Sequence, residues 1–123
     1  RPSGSSQYLM TQPRWIAHAE HILDSVDKID GIQQRGRITE DEVLYAATLR
    51  YLQTLSEATQ RLPDELKQTE PEIPWTEIGG FRNILVHNYL GEIDPATVAS
   101  IVASDLPSLR DAVARILETA GTA

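Results

Sequence analysis

The stretch W-T-E-I-G-G-F-R-N-I-L-V-H-N-Y, Trp75 to Tyr89, decides the fold. Read as an α-helix, in which each residue advances about 100° around the axis and about 1.5 Å along it, the run divides into two arcs. With Arg82 set at zero, Asn83 falls near 100°, His87 near 140° and Tyr89 near 340°, so all four share about half a turn. Ile78, Phe81, Ile84 and Leu85 fall between roughly 200° and 320° and give the helix a side to bury. Arg82 and His87 stand about 7.5 Å apart along the axis, a gap the long arginine side chain can bridge toward a shared phosphate. Taken singly these are ordinary residues, because helical arginines are mostly solvated charges and lone histidines are mostly structural. Their placement on one face is what points to chemistry. Gly79 and Gly80 cost this helix about 1 kcal/mol each relative to alanine. They predict either the close approach of another backbone or a break into two shorter helices.

Toward the N-terminus, Pro71-Glu72-Ile73-Pro74 predicts an extended link, since proline pushes the residue before it out of the helical region. Leu62 to Lys67 allows one short helical turn with Pro63 at its start. Before that, Val43, Leu44, Ala47, Tyr51, Leu52, Leu55, Ala58 and Leu62 keep a 3.6-residue period, a helix reaching Arg61. Thr39-Glu40-Asp41-Glu42 reads as its capping box, with Thr39 as N-cap. Arg50 and Glu57 share a face of this helix seven residues apart, either as a buried polar feature near the site or as surface charges, and Arg50 reads as the latter. Trp15, Ile16, Ala19, Ile22, Leu23, Val26 and Ile29 mark an earlier helix from Pro13 to about Gln34, ended by Arg35-Gly36-Arg37. The two long helices should pack antiparallel. His18 and His21, one turn apart with Asp24 and Ser25 beyond them, have a spacing that suits a metal but lack a fixed third ligand; they read as a solvated face. Residues 1–7, R-P-S-G-S-S-Q, read as a flexible leader, leaving 8–120 as one helical domain.

Toward the C-terminus, Gly91 supplies a helix stop after Tyr89 or Leu90. Asp94-Pro95 gives an N-cap followed by a first-turn proline. Val98, Ile101 and Val102 form the stripe of a short helix, and Asp105-Leu106-Pro107 reads as a break. A last helix then carries Leu109, Val113, Ile116 and Leu117 to about Thr119. No segment alternates as a strand does, so the fold class is all-α: a bundle of four to five helices, two of them long and antiparallel.

Composition narrows the function. At 123 residues, 41% hydrophobic and 24% charged, the chain suits one globular domain. No apolar run approaches the roughly 20 residues of a membrane helix, and a cytoplasmic protein is expected. The absence of cysteine removes disulfides and thiolate metal sites. A net charge of −7 opposes broad electrostatic binding to nucleic acid, so any RNA contact must be a local convergence of cations, in one chain or between two copies.

The stretch P-E-I-P-W-T-E-I-G-G-F-R-N-I-L-V-H-N-Y-L-G-E-I-D, Pro71 to Asp94, strongly resembles the HepT-like branch of the HEPN superfamily, small helical toxins of bacterial toxin-antitoxin pairs. The likeness extends less tightly over Leu9 to Leu117, including R-Y-L-Q-T-L-S-E-A-T-Q-R-L and D-L-P-S-L. R-x-x-x-x-H-x-Y alone is a weak signal, but inside its P-E-I-P-W and G-x-x-D flanks it is specific. The resemblance implies a HEPN-like bundle and a metal-independent endoribonuclease needing no cofactor. It also implies a homodimer with its site at the dimer cleft, and a type VII-like system whose antitoxin is an MntA-like nucleotidyltransferase. Carried over, Arg82 and His87 are the catalytic pair, Asn83 a supporting polar residue and Tyr89 the acceptor of AMP. Asn88 occupies a variable position and takes no role.

Physical chemistry accommodates these roles. Metal-free RNA cleavage must deprotonate a 2'-hydroxyl, stabilise an anionic phosphorane and protonate the departing 5'-oxygen. Histidine, with an unperturbed pKa of about 6.5, suits the proton steps. The permanently charged arginine fork suits the phosphorane. One chain has one motif histidine, whereas a two-fold dimer brings two, a base and an acid. Two other classes compete: a noncatalytic interaction subunit of a nucleotidyltransferase complex, and a metal enzyme using His18, His21 and Asp24.

Overall fold

The computed structural model describes the backbone of residues 13–87 and 93–122 and the side chains of 13–81 and 93–119. It contains five helices: α1 Arg14–Gln33, α2 Glu42–Gln60, α3 Asp64–Lys67, α4 Trp75–His87 and α5 Pro95–Thr122. No strand occurs among the described residues, and the all-α expectation holds. Among them, too, no helix is long and apolar enough to cross a membrane.

The core sits where α1, α2 and α5 meet. Ile22, Val26 and Ile29 from α1, Leu52 and Leu55 from α2, and Val98, Leu109 and Val113 from α5 are almost wholly buried. Each such side chain contributes about 1.5–3 kcal/mol through water it no longer touches. Thr48 and Thr59 are buried on α2 without penalty, because their hydroxyls donate to the carbonyls of Leu44 (2.9 Å) and Ser56 (2.7 Å). Arg110 on α5 reaches Asp30 on α1 at 3.0 Å and ties the outer edges of that pair.

Four local expectations are corrected. The N-cap of α2 is Asp41, not Thr39: its Oδ1 accepts the backbone N–H groups of Val43 (2.9 Å) and Leu44 (3.1 Å). A carboxylate at that place satisfies two orphan donors and adds a charge favourable to the helix dipole, which the Thr39 hydroxyl, in the preceding turn, does not match. Val43 consequently points to solvent, 76% exposed, instead of joining the buried stripe. The link before α4 is a compact turn, in which the N–H of Ile73 donates to the Glu70 carbonyl (3.2 Å) and Ile73 itself is buried. The break expected at Asp105-Leu106-Pro107 is absent: α5 runs through Pro107 without interruption. Its buried stripe of Val98, Val102, Leu106, Leu109 and Val113 continues in phase across the proline, so packing along one face outweighs the lost hydrogen bond.

Other expectations hold. α1 starts one residue after Pro13 and ends at Gln33. Pro63 caps the single turn of α3. Asp94 accepts the Ala96 N–H at 3.2 Å, with Pro95 as the first residue of α5. The end of α4 with its Gly91 stop, and the 1–7 leader, lie outside the described residues.

Candidate active site

α4 is held at both ends of its run along α2. At its start, the indole N–H of Trp75 donates to the carbonyls of Lys67 (3.0 Å) and Glu70 (3.1 Å), fixing the first helical residue against α3 and the following turn. One turn on, Gln60 at the end of α2 donates from Nε2 to the Gly79 carbonyl at 2.9 Å. A Cβ on Gly79 would stand 3.2 Å from Gln60 Cγ, so glycine permits this approach, which is that of a side chain and not of a backbone. Gly80 has no neighbour within 4 Å of such a Cβ among the described residues. The helix does not break at either glycine. Beyond α4, the Tyr45 hydroxyl near the start of α2 donates to the Ile93 carbonyl at 2.6 Å. Burial first, and then the Asp94 carboxylate, hold the Tyr45 phenol above its ordinary pKa, so it stays a donor. Gln60 with Gly79 and Tyr45 with Ile93 together make α4 antiparallel to α2.

This placement sets the surroundings of the predicted residues. Arg82, Asn83 and His87 all belong to the continuous backbone of α4, with the five-residue step from 82 to 87 rising about 7.5 Å. Their side chains, and Asn88 and Tyr89 entirely, lie outside the described residues. On the helical projection Gly79 falls near 60°, between positions 82 and 83, and Gly79 is buried. The polar arc read from the sequence is therefore not all open to water, because α2 runs along part of it. Ile78 and Phe81 pack on the core as expected. On the same line of α2, one turn before Gln60, the Ser56 hydroxyl is buried with no hydrogen-bond partner among the described residues.

The turn that launches α4 is clamped to α5. Arg115 grips both carboxylate oxygens of Glu70, with Nη2 to Oε1 at 2.7 Å and Nε to Oε2 at 3.1 Å. Hydrogen bonding from the guanidinium holds the Glu70 carboxyl below its ordinary pKa, against the opposing effect of burial. A carboxyl whose pKa is lower folded than unfolded stabilises the fold above the ordinary glutamate range, and this contribution is lost as pH falls through the lowered value. Arg115→Gln should thus melt below the wild type at neutral pH, and the gap should close in acid. A gap unchanged well below the glutamate range would show that Arg115 acts without Glu70.

Two depressions flank this framework. One of about 600 Å³ is lined by Gln60, Lys67, Trp75, Thr76, Gly79 and Gly80 among others. Its one cation, Lys67, is occupied by the Thr59 carbonyl at 3.2 Å and by Asp64 at 3.8 Å. The other, about 240 Å³, lies at the seam of α1 and α2 and is lined by His18, His21, Thr54, Glu57, Ala58 and Arg61. The histidine pair lines this shallow groove with His18 half-buried and His21 exposed, in keeping with a solvated face. Among the described residues no group of three His, Asp or Glu side chains is placed to hold a metal ion. Sequence reasoning missed the Gln60 and Tyr45 contacts; glycine inside a helix signalled the first, and nothing local signals the second.

An all-α bundle with a motif helix strapped antiparallel to a long second helix defines the HEPN-like class. The sequence profile of the Ribonuclease HepT-like family matches residues 20–116, and the chain belongs to that family. A candidate RNase of Caldanaerobacter subterraneus subsp. tengcongensis is 31% identical, over 89% of this chain and 97% of that relative. A candidate ribonuclease HepT of Thermococcus cleftensis is 30% identical over 76% and 90%. A candidate RNase of Methanocaldococcus jannaschii is 33% identical over 80% and 85%. No solved structure gives a significant match.

Proposed function

We propose that the chain is a metal-independent endoribonuclease toxin, cytoplasmic and active as a homodimer. Its restraint is AMP transfer onto Tyr89 by a cognate MntA-like nucleotidyltransferase antitoxin. The observation that carries the reading is the R-x-x-x-x-H-x-Y sequence, with Arg82 and His87 both in α4, in a Ribonuclease HepT-like chain, and the RNase names of its relatives support it. Arg82 stabilises the phosphorane. His87 moves protons, one copy as base at the 2'-hydroxyl and its twin across the two-fold axis as acid at the 5'-oxygen. Asn83 helps orient substrate. By sequence spacing, a helical register carried on to Tyr89 would put it about 20° from Arg82 and two turns further on, the basis for proposing that AMP on its phenol takes the place of the scissile phosphate.

The test is incubation of the purified chain with labelled RNA in excess EDTA, before and after co-expression with its neighbouring nucleotidyltransferase. Cleavage should persist in EDTA, and co-expression should abolish it while adding one or more nucleotides to the intact mass. Cleavage lost in EDTA and restored by divalent cation would overturn metal independence. No cleavage under either condition would leave the noncatalytic interaction subunit as the better description.

A further inference from the structure

The cations of this acidic chain are unevenly spent. Arg37, Lys67, Arg110 and Arg115 pair with Glu40, Asp64, Asp30 and Glu70. Among the described residues five cations have no ion-pair partner: Arg14, Lys28, Arg35, Arg50 and Arg61. Arg35 sits in the turn between α1 and α2. The other four belong to the seam of those two helices. On α1, Arg14, His18, His21 and Lys28 stand at steps of four, three and seven, within about 80° of one another around the axis. On α2, Arg50, Thr54 and Arg61 stand at steps of four and seven, within about 40°. The groove lined by His18, His21, Thr54 and Arg61 shows that the two lines face each other. Arg14, Arg50 and Arg61 are exposed. Among the described residues Glu57 is the one carboxylate lining that groove, and the acids Glu20, Asp24 and Asp27 are turned about 80–140° away from Arg14 around α1, Asp24 standing about 40° from Lys28.

We infer that the α1–α2 seam is a phosphate track for the RNA strand, in which Arg14, Arg50 and Arg61 supply charge and His18 and His21 supply hydrogen-bond donors, while Thr54, whose hydroxyl donates to the Arg50 carbonyl at 3.1 Å, lines the groove between them. Single-stranded RNA backbone is the ligand class because the track is long and narrow. Arg50 to Arg61 alone spans about 16 Å along α2, more than one phosphate can occupy. The track also leads to the motif, since the ridge that carries it belongs to α2, whose other flank holds α4. A chain of net charge −7 thereby binds a polyanion without a broadly basic surface. The inference rests on the ribonuclease reading for its direction, but it concerns binding and is tested apart from cleavage.

The test uses a 5'-labelled single-stranded RNA in EDTA, with its Kd measured by fluorescence anisotropy across a salt series. For single strands each phosphate contact contributes about 0.7 to the slope of log Kd against log salt. The triple variant Arg14→Gln, Arg50→Gln, Arg61→Gln should lose about 2 in slope and at least tenfold in affinity near 0.1 M salt. Arg→Lys at the same three positions should restore most of the slope. Arg37→Gln, which removes one charge at the far turn, should change the slope by less than half a contact. All four proteins are checked for equal melting. If the triple variant binds as the wild type does, or Arg37→Gln loses as much per charge, there is no track. A wild type that cuts RNA while the triple variant binds unchanged sinks the track and leaves the nuclease. A wild type that binds with the expected slope but never cuts does the reverse.

Discussion

With His87 replaced by alanine, cleavage of RNA in EDTA should fall by about 10²- to 10⁴-fold, the usual worth of a positioned general acid or base. Arg82→Ala should cost about 10²-fold or more, and Arg82→Lys should recover part of the loss but not all. An ammonium keeps the charge and lacks the fork that meets two phosphate oxygens. Both residues lie in the helix that Gln60 and Trp75 fasten, so these substitutions should leave the melting transition within about 0.5 kcal/mol of wild type. Mixed dimers separate the chemistry from the fold. If one histidine serves as base and its twin as acid, a heterodimer of wild-type and His87→Ala chains should be nearly as dead as the double mutant. A heterodimer with half the wild-type rate or more would mean that each chain cuts alone, and the shared-cleft mechanism would have to be abandoned.

How much of this was legible in the sequence differs by level. The opening of α4 at Trp75, the antiparallel α1–α2 pair and the Asp94-Pro95 start of α5 follow from rules acting within a few residues: proline geometry, capping and 3.6-residue periodicity. Asp41 shows where local rules compete. The capping-box pattern points to Thr39, but the position goes to Asp41, whose oxygen captures two N–H groups, and Val43 faces outward. For the site, the line of Arg82, Asn83 and His87 on one helix could be read from spacing alone. That α2 borders this line could not, because it depends on Gln60 meeting a carbonyl nineteen residues further along the chain. The histidine pair shows the same limit: its partners Thr54 and Arg61 come from another helix, and only their apposition makes a groove.

Pro107→Ala should make the protein more stable, by about 2 kcal/mol, raising the melting temperature on the order of 8 °C. The argument turns on why α5 survives its proline. Pro107 has no N–H to give the Ala103 carbonyl, and its ring crowds that turn. Both residues lie on the exposed side of the helix, where the freed carbonyl can turn to water, while Leu106 and Leu109 stay buried on the inner side. The cost is therefore borne by the backbone on the outside, and alanine removes it without touching the core. Proline stiffens the unfolded chain, which offsets about 0.4–1 kcal/mol of the roughly 3 kcal/mol penalty and sets the estimate near 2. Gly80→Pro, which removes a helical N–H and crowds the preceding turn inside α4, serves as the contrast and should destabilise by about 3 kcal/mol or more. If Pro107→Ala melts at or below the wild type, the proline is part of what shapes α5, and the sequence rule that predicts a break there carries structural information that the unbroken run of the helix conceals.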